Sequence, residues 1–289
     1  MVAQTAEVEL TIDVFRPRKK LPLLLKVSSA VLCAIIVLAF AGTYVSPYQY
    51  DQLDPSNILA TPSLEHPFGT DEFGRDILTR VMYGTQLSLL LGVCSTLTGL
   101  VLGVPLGLIS GYYRGWVDEI IMRSVDILMS FPPILFALLA LTIMEPSIPK
   151  LVLVIGFLFV PSISRILRSV TLDLAQQEFI EAAIMRGESR AYILFREILP
   201  NAWAPIIVEG SLRVTFAILI GAVLSFLGFG VQPPSADWGM MISQGRNYLQ
   251  TAPWIALAPG AAMALTVVTV NLFGDGLREW LDPKSILRR

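Results

Sequence analysis

The sequence predicts an all-α, polytopic membrane protein with about six transmembrane helices. Three observations carry that prediction. Of 289 residues, 54% are hydrophobic and only 15% charged, too apolar a balance for a soluble domain of this length. Six apolar stretches are long enough to cross a hydrocarbon core of about 30 Å as helices. Lys and Arg, finally, concentrate in alternate connections between those stretches.

The stretches lie at 27–45, 86–112, 124–144, 150–168, 204–230 and 254–274. Helices are the required form, because lipid offers no partner to a backbone N–H or C=O, so each span must satisfy its own. Pro105, Pro132, Pro133, Pro161 and Pro259 fall inside them. Each removes a donor and is expected to bend its helix. The resulting organisation is a tail at 1–26, a first helix and external loop at 27–85, a five-helix core at 86–274 and a tail at 275–289.

Orientation follows from the basic residues, which cytoplasmic loops retain. Arg16, Arg18, Lys19, Lys20 and Lys26 precede the first span, Arg114 and Arg123 follow the second, and Arg165, Arg168, Arg186, Arg190 and Arg196 lie at the end of the fourth and in the connection after it. Arg278, Lys284, Arg288 and Arg289 follow the last span, while the opposite side keeps Arg75, Arg80, Lys150 and Arg246. Both termini are expected in the cytoplasm. The basic start, the apolar run and the Ala39-Phe40-Ala41 triplet also have the form of a cleavable signal peptide, but the run is long for one. Cleavage would leave five spans with unchanged topology.

Composition excludes several classes. The formal net charge of -2 gives no global attraction to nucleic acid. Cys33 and Cys94 lie far apart in apolar runs, without metal-site or disulfide spacing, and read as lipid-facing or packing residues. His66, the sole histidine, sits in an outside loop with no nucleophile or ligand pattern beside it and reads as a surface residue. No catalytic or metal site is expected. No Gly is followed by Lys, so the phosphate-cradling loop G-x-x-x-x-G-K-[ST] is absent and any pumping needs an energy source outside this chain.

The connection at 171–200 is the informative one. Residues 171–186 are rich in helix formers, Gly187 can adopt positive φ and turn the chain, a short helix capped by Ser189 follows, and Pro200 is expected to stop it. The product is a helical elbow. Gly69, Gly74 and Asp76 similarly predict a tight turn before the second span.

Glu181-Ala182-Ala183, Gly187 and Leu199-Pro200 resemble the EAA loop of ABC importer permeases. His66 to Leu78, Ser225 to Pro234 and Asp237-Trp238-Gly239 resemble C-type permeases of the dipeptide, oligopeptide and nickel importers, and the likeness runs from about residue 20 to the end. It departs where Glu197 replaces an isoleucine. The resemblance implies that Glu181, Ala182, Ala183, Gly187, Leu199 and Pro200 dock into a cytoplasmic ATPase subunit. It further implies a heterodimer with a homologous second permease, two ATPase subunits that bind ATP and Mg, an external substrate-binding protein, no cofactor in this chain, and residence in a bacterial or archaeal plasma membrane. The substrate it implies is a peptide.

Inside the spans, Glu209 and Arg213 share one helical face and Asp126 lies at a comparable depth, which predicts a charge cluster, structural in the first reading and in contact with substrate in the second. An ion-driven secondary transporter is the rival class, but it calls for inverted repeats and buried acids along a pathway, and no convincing inverted repeat is visible.

Overall fold

A computed structural model describes residues 21–143 and 147–281. The basic residues Arg16, Arg18, Lys19, Lys20, Lys284, Arg288 and Arg289 lie outside the described residues. Five helices are long and apolar enough to span: α1 (Leu23–Val45), α2 (Ile77–Tyr113), α5 (Ile148–Leu174), α9 (Trp203–Phe226) and α11 (Trp254–Leu281). The expected third span is a broken pair instead. Helices α3 (Gly115–Met129) and α4 (Pro133–Thr142) meet at 83°. Pro132 and Pro133 were expected to bend a continuous helix, but two successive residues without N–H groups, preceded by a residue pushed off the α region, end it outright. Pro105, Pro161 and Pro259 do remain inside α2, α5 and α11.

Packing centres on α2 and α5. On α5 the residues Leu151, Ile155, Phe159, Ile163, Leu167 and Thr171 are all buried, four apart and therefore on one face. Opposite them α2 presents Gly99, Gly103, Gly107 and Gly111, also four apart. A Cβ at Gly107 would lie 2.6 Å from Leu167 Cβ and from the Ser164 carbonyl oxygen, and one at Gly103 would lie 2.8 Å from Ile163 Cγ2. The stripe lets the two backbones approach closely, the usual solution where helices associate in lipid without a hydrophobic drive. Ser164 Oγ uses that closeness to donate to the Gly103 carbonyl at 3.1 Å.

Helix α2 begins at Ile77, not near residue 86. Its first turns carry Arg80, which lowers apolarity in any window that includes it, yet Arg80 is buried. Asp76 caps the helix by accepting the Thr79 N–H at 2.8 Å. Gly69 and Gly74 take positive φ, at 72° and 75°, so the predicted turn is present. His66, expected on the surface, is buried at 4% exposure. Its ring stacks on Tyr48 and its Nδ1 lies 3.0 Å from Asp76 Oδ1, because the folded connection wraps over the helix start. Arg75 pairs with Asp71 at 2.6 Å, and Arg80 reaches both the Tyr50 carbonyl at 2.9 Å and the Pro234 carbonyl. The 46–76 connection is thereby tied to the one after α9.

That later connection contains α10 (Trp238–Gly245). Asp237 caps it, accepting the Gly239 N–H at 2.8 Å, and burial raises the Asp237 carboxyl above its ordinary range. Trp238, fully buried, donates its indole N–H to the Val81 carbonyl at 3.2 Å.

Candidate functional site

At the opposite end of the α2–α5 pair the chain builds the elbow. Helix α5 runs on to Leu174, beyond its predicted apolar limit, and α6 (Glu178–Met185) follows a three-residue turn. Glu178 and Glu181 occupy the first turn of α6, where carboxylates complement the positive end of the helix. The helix closes with a Schellman arrangement: Glu188 N–H donates to the Ala183 carbonyl at 3.2 Å and Gly187 N–H to the Ile184 carbonyl at 2.9 Å. Gly187 supplies the left-handed residue this requires, with φ of 78°.

The second arm starts at Ser189, whose hydroxyl accepts the Tyr192 N–H at 3.2 Å. Arg190–Tyr192 (α7), a π-helical Ile193–Ile198 and Leu199–Asn201 (α8) form one unbroken helical run. Pro200 was expected to stop this helix. It lies inside the run, with the wider π register carrying the Leu199 N–H back to the Leu194 carbonyl, and the single turn residue Ala202 separates the run from α9.

Side chains divide between two faces. Ile180 and Ala183 are buried on Ile193, Leu194 and Ile198, in the same apolar cluster as α5. Ala183 was expected to give a partner close access; it is fully covered by its own chain, so its small size serves packing between the elbow's arms. Glu181, Ala182, Gly187 and Pro200 are exposed and Leu199 half-buried. Beside them Ile184 and Phe195 are more than half exposed and Met185 is 88% exposed, so the elbow presents large apolar side chains outside the long helices. An open groove of about 610 Å³ runs between this face and the end of α2, lined by Tyr112, Tyr113, Ile180, Glu181, Ile184 and Arg190. Arg190 sits 5.4 Å from the centre of the Tyr113 ring and so joins elbow to span.

Two pairings escaped sequence reasoning. Arg186, in the turn, reaches Glu197 at 3.2 Å and Glu188 at 3.7 Å. Glu197 therefore has a partner across the elbow where the resembled family carries an isoleucine. The four-residue glycine repeat on α2 is legible in the sequence, but its partner stripe on α5 is not.

The predicted charge cluster splits. Glu209 and Arg213 pair on α9, Nε to Oε1 at 2.5 Å, with Arg213 between the Phe159 and Phe216 rings. Asp126 does not join them. It bonds Arg165 of α5 at 2.7 Å, because the break after α3 swings that helix across α5. One turn nearer the elbow, Arg168 grips Asp118 through two bonds of 2.5 Å.

Comparison with known proteins gives concordant matches. Residues 103–286 match the family described as binding-protein-dependent transport system inner membrane component. The dipeptide transport system permease protein of Alkalihalophilus pseudofirmus is 43% identical over 272 residues, covering 94% of this chain and 89% of that protein. The glutathione transport system permease protein of Pectobacterium atrosepticum is 42% identical over 251 residues, covering 86% and 83%. In fold, the chain is similar to one from the inward-facing MetNI methionine ABC transporter, with a TM-score of 0.60 at 16% identity over 70% of this chain and 97% of that one.

Proposed function

The chain belongs to the family of binding-protein-dependent transport system inner membrane components, and from that premise we propose that it forms half of the pore of an ATP-driven importer of short peptides. Membership makes it a multi-pass inner-membrane permease subunit of an ABC importer, working with a partner permease, an ATPase and a substrate-binding protein. A heterodimer of permeases with two ATPase subunits is our specific reading. A peptide cargo, dipeptide or oligopeptide, is supported by the names of the relatives, whose cargoes are a dipeptide and the tripeptide-like glutathione.

The observation that carries the mechanism is the elbow. It presents an exposed apolar face on two short helices whose buried sides are continuous with the α2–α5 core. A partner gripping that face therefore moves the membrane helices, not a loose loop. We place the elbow and both termini in the cytoplasm and residues 46–76 outside, in keeping with the distribution of Lys and Arg. ATP and Mg are bound by the ATPase subunits in this reading; closure of the ATPase pair draws two elbows together and shifts the bundle between outward- and inward-open arrangements. Glu181, Ala182, Gly187, Leu199 and Pro200 form the docking element, with Ala183 holding its two arms together.

Gly187→Val tests it. A Cβ at Gly187 meets nothing within 4 Å, so the substitution acts through backbone strain alone, costing roughly 1–2 kcal/mol. Membrane insertion is expected to survive while co-purification of the ATPase subunits and uptake into proteoliposomes fall together. Full ATPase retention and full uptake would refute the docking role.

A further inference from the structure

Among the described residues, Asp126–Arg165 is the most exposed ion pair between the membrane helices. Arg80, Glu209 and Arg213 are buried or largely covered by the bundle, whereas Asp126 and Arg165 each leave 51% of the side chain exposed. Both are deep in their helices. Arg165 is nine residues from the elbow end of α5, about 13 Å at 1.5 Å per residue, and Asp126 is eleven residues, about 16 Å, into α3. Charged side chains within membrane helices avoid lipid and face either protein or water.

Their surroundings favour water. On α5 the exposed or half-exposed residues Ser162, Arg165, Ser169 and Asp173 follow at steps of three or four, which places them on one face. That polar stripe runs from mid-helix to the elbow, opposite the buried stripe that packs on α2. Asp126 meets it four residues before Ser130, where the third span breaks by 83°; interrupted spans are tolerated where their irregular backbone is buried in protein or lines an aqueous cavity.

A second pair supplies the contrast. Asp118 is held by two bonds from Arg168 and by Ser110 Oγ, which anchors the start of α3. Asp126–Arg165 has a single bond at 2.7 Å and greater exposure on both sides, so it can open while the anchor stays closed.

We infer that Asp126 and Arg165 line the translocation pathway and form a gate that is made in the arrangement seen here and broken in the alternate one. The inference rests on the alternating-access reading above. The test uses the assembled importer in inside-out vesicles, with Cys33 and Cys94 replaced by alanine and single cysteines placed at Asp126, Arg165 and, as a control on an exposed apolar position of α2, Val101. A neutral, membrane-impermeant maleimide is the probe. At least one of the two gate cysteines is expected to react ten times faster than Val101→Cys and to change rate at least fivefold between nucleotide-free and vanadate-trapped complexes. Rates no faster than the control, or equal in the two states, overturn the gate. ATP-driven release of peptide trapped with the binding protein inside the same vesicles separates the two ideas: release with state-independent labelling leaves the importer reading intact and removes the gate, whereas no release by the unmodified complex removes the reading itself.

Discussion

Arg186 and Glu197 lie on different arms of the elbow and meet at 3.2 Å, bracing the bend made by Gly187. Arg186 is 54% exposed, and an exposed pair of this kind contributes about 0.2–1 kcal/mol. Its value is geometric, setting the angle between α6 and the helix that follows. Glu197→Lys is accordingly expected to leave expression and thermal stability close to unchanged while lowering ATPase stimulation by the loaded binding protein; Arg186→Glu with Glu197→Arg should restore it. Turnover measured in reconstituted complexes checks both.

Neighbouring alanines separate packing from docking. Ala183 is fully buried between the arms and Ala182 is exposed. Ala183→Asp places an unpaired charge in an apolar cluster, costing several kcal/mol unless the group takes up a proton, and should unfold the elbow and reduce recovered permease. Ala182→Asp should leave the purified permease as stable as the parent and weaken only ATPase attachment. Limited proteolysis at 175–202, set beside pull-down of the ATPase subunits, distinguishes the two outcomes.

Closeness of α2 and α5 makes a third expectation. Gly107→Val forces a side chain to within 2.6 Å of Leu167 and the Ser164 carbonyl, and overpacking typically costs about 1–3 kcal/mol. A lower melting temperature in detergent is expected. Gly260→Ala, where the added Cβ meets nothing within 4 Å, should be neutral or slightly stabilising, since alanine is the better helix former by about 1 kcal/mol.

Asp237 gives the chain a pH dependence outside the spans. Burial raises its carboxyl above the ordinary 3.8, so the folded state holds the proton more tightly than the unfolded one. Stability from this group is fully present below 3.8 and is lost as pH rises through the raised value. Asp237→Asn keeps a side-chain oxygen for the Gly239 N–H and removes the titration. The melting temperature of the variant should therefore fall less than that of the parent as pH rises above about 4; equal slopes would contradict this account.

Much of this architecture is legible from residues alone, since helix length against bilayer thickness locates five spans and Gly187 and Ser189 mark the elbow's turn and cap. What escaped has identifiable physical causes. Two prolines in succession break a helix that one would bend, so α3 and α4 read as a single span. Arg80 depresses apolarity yet is buried among carbonyls and Asp71, so α2 reads as starting late. Asp126 and Arg165 are 39 residues apart, and His66 and Asp76 meet through a folded loop; neither partner is specified by helical periodicity. Ala183 could not be assigned to the inner face of the elbow before the direction of the second arm was known.

The glycine stripe has a mechanical consequence. Side chains between two helices act as a compliant layer that lets them slide or tilt, and along the Gly99–Gly111 stripe α2 contributes none to that layer. The two are thereby held backbone to backbone like one beam, and α2 alone is 37 residues long, about 55 Å along its axis. One end of the beam carries the elbow; the other carries Asp76 and Arg80, to which the connections at 46–76 and after α9 are fastened. A beam that cannot shear converts a push at one end into rotation at the other, with the displacement set by the ratio of the two lever arms about the pivot. On the proposed importer reading, a push on the elbow reaches the far end of the pair through the helices themselves.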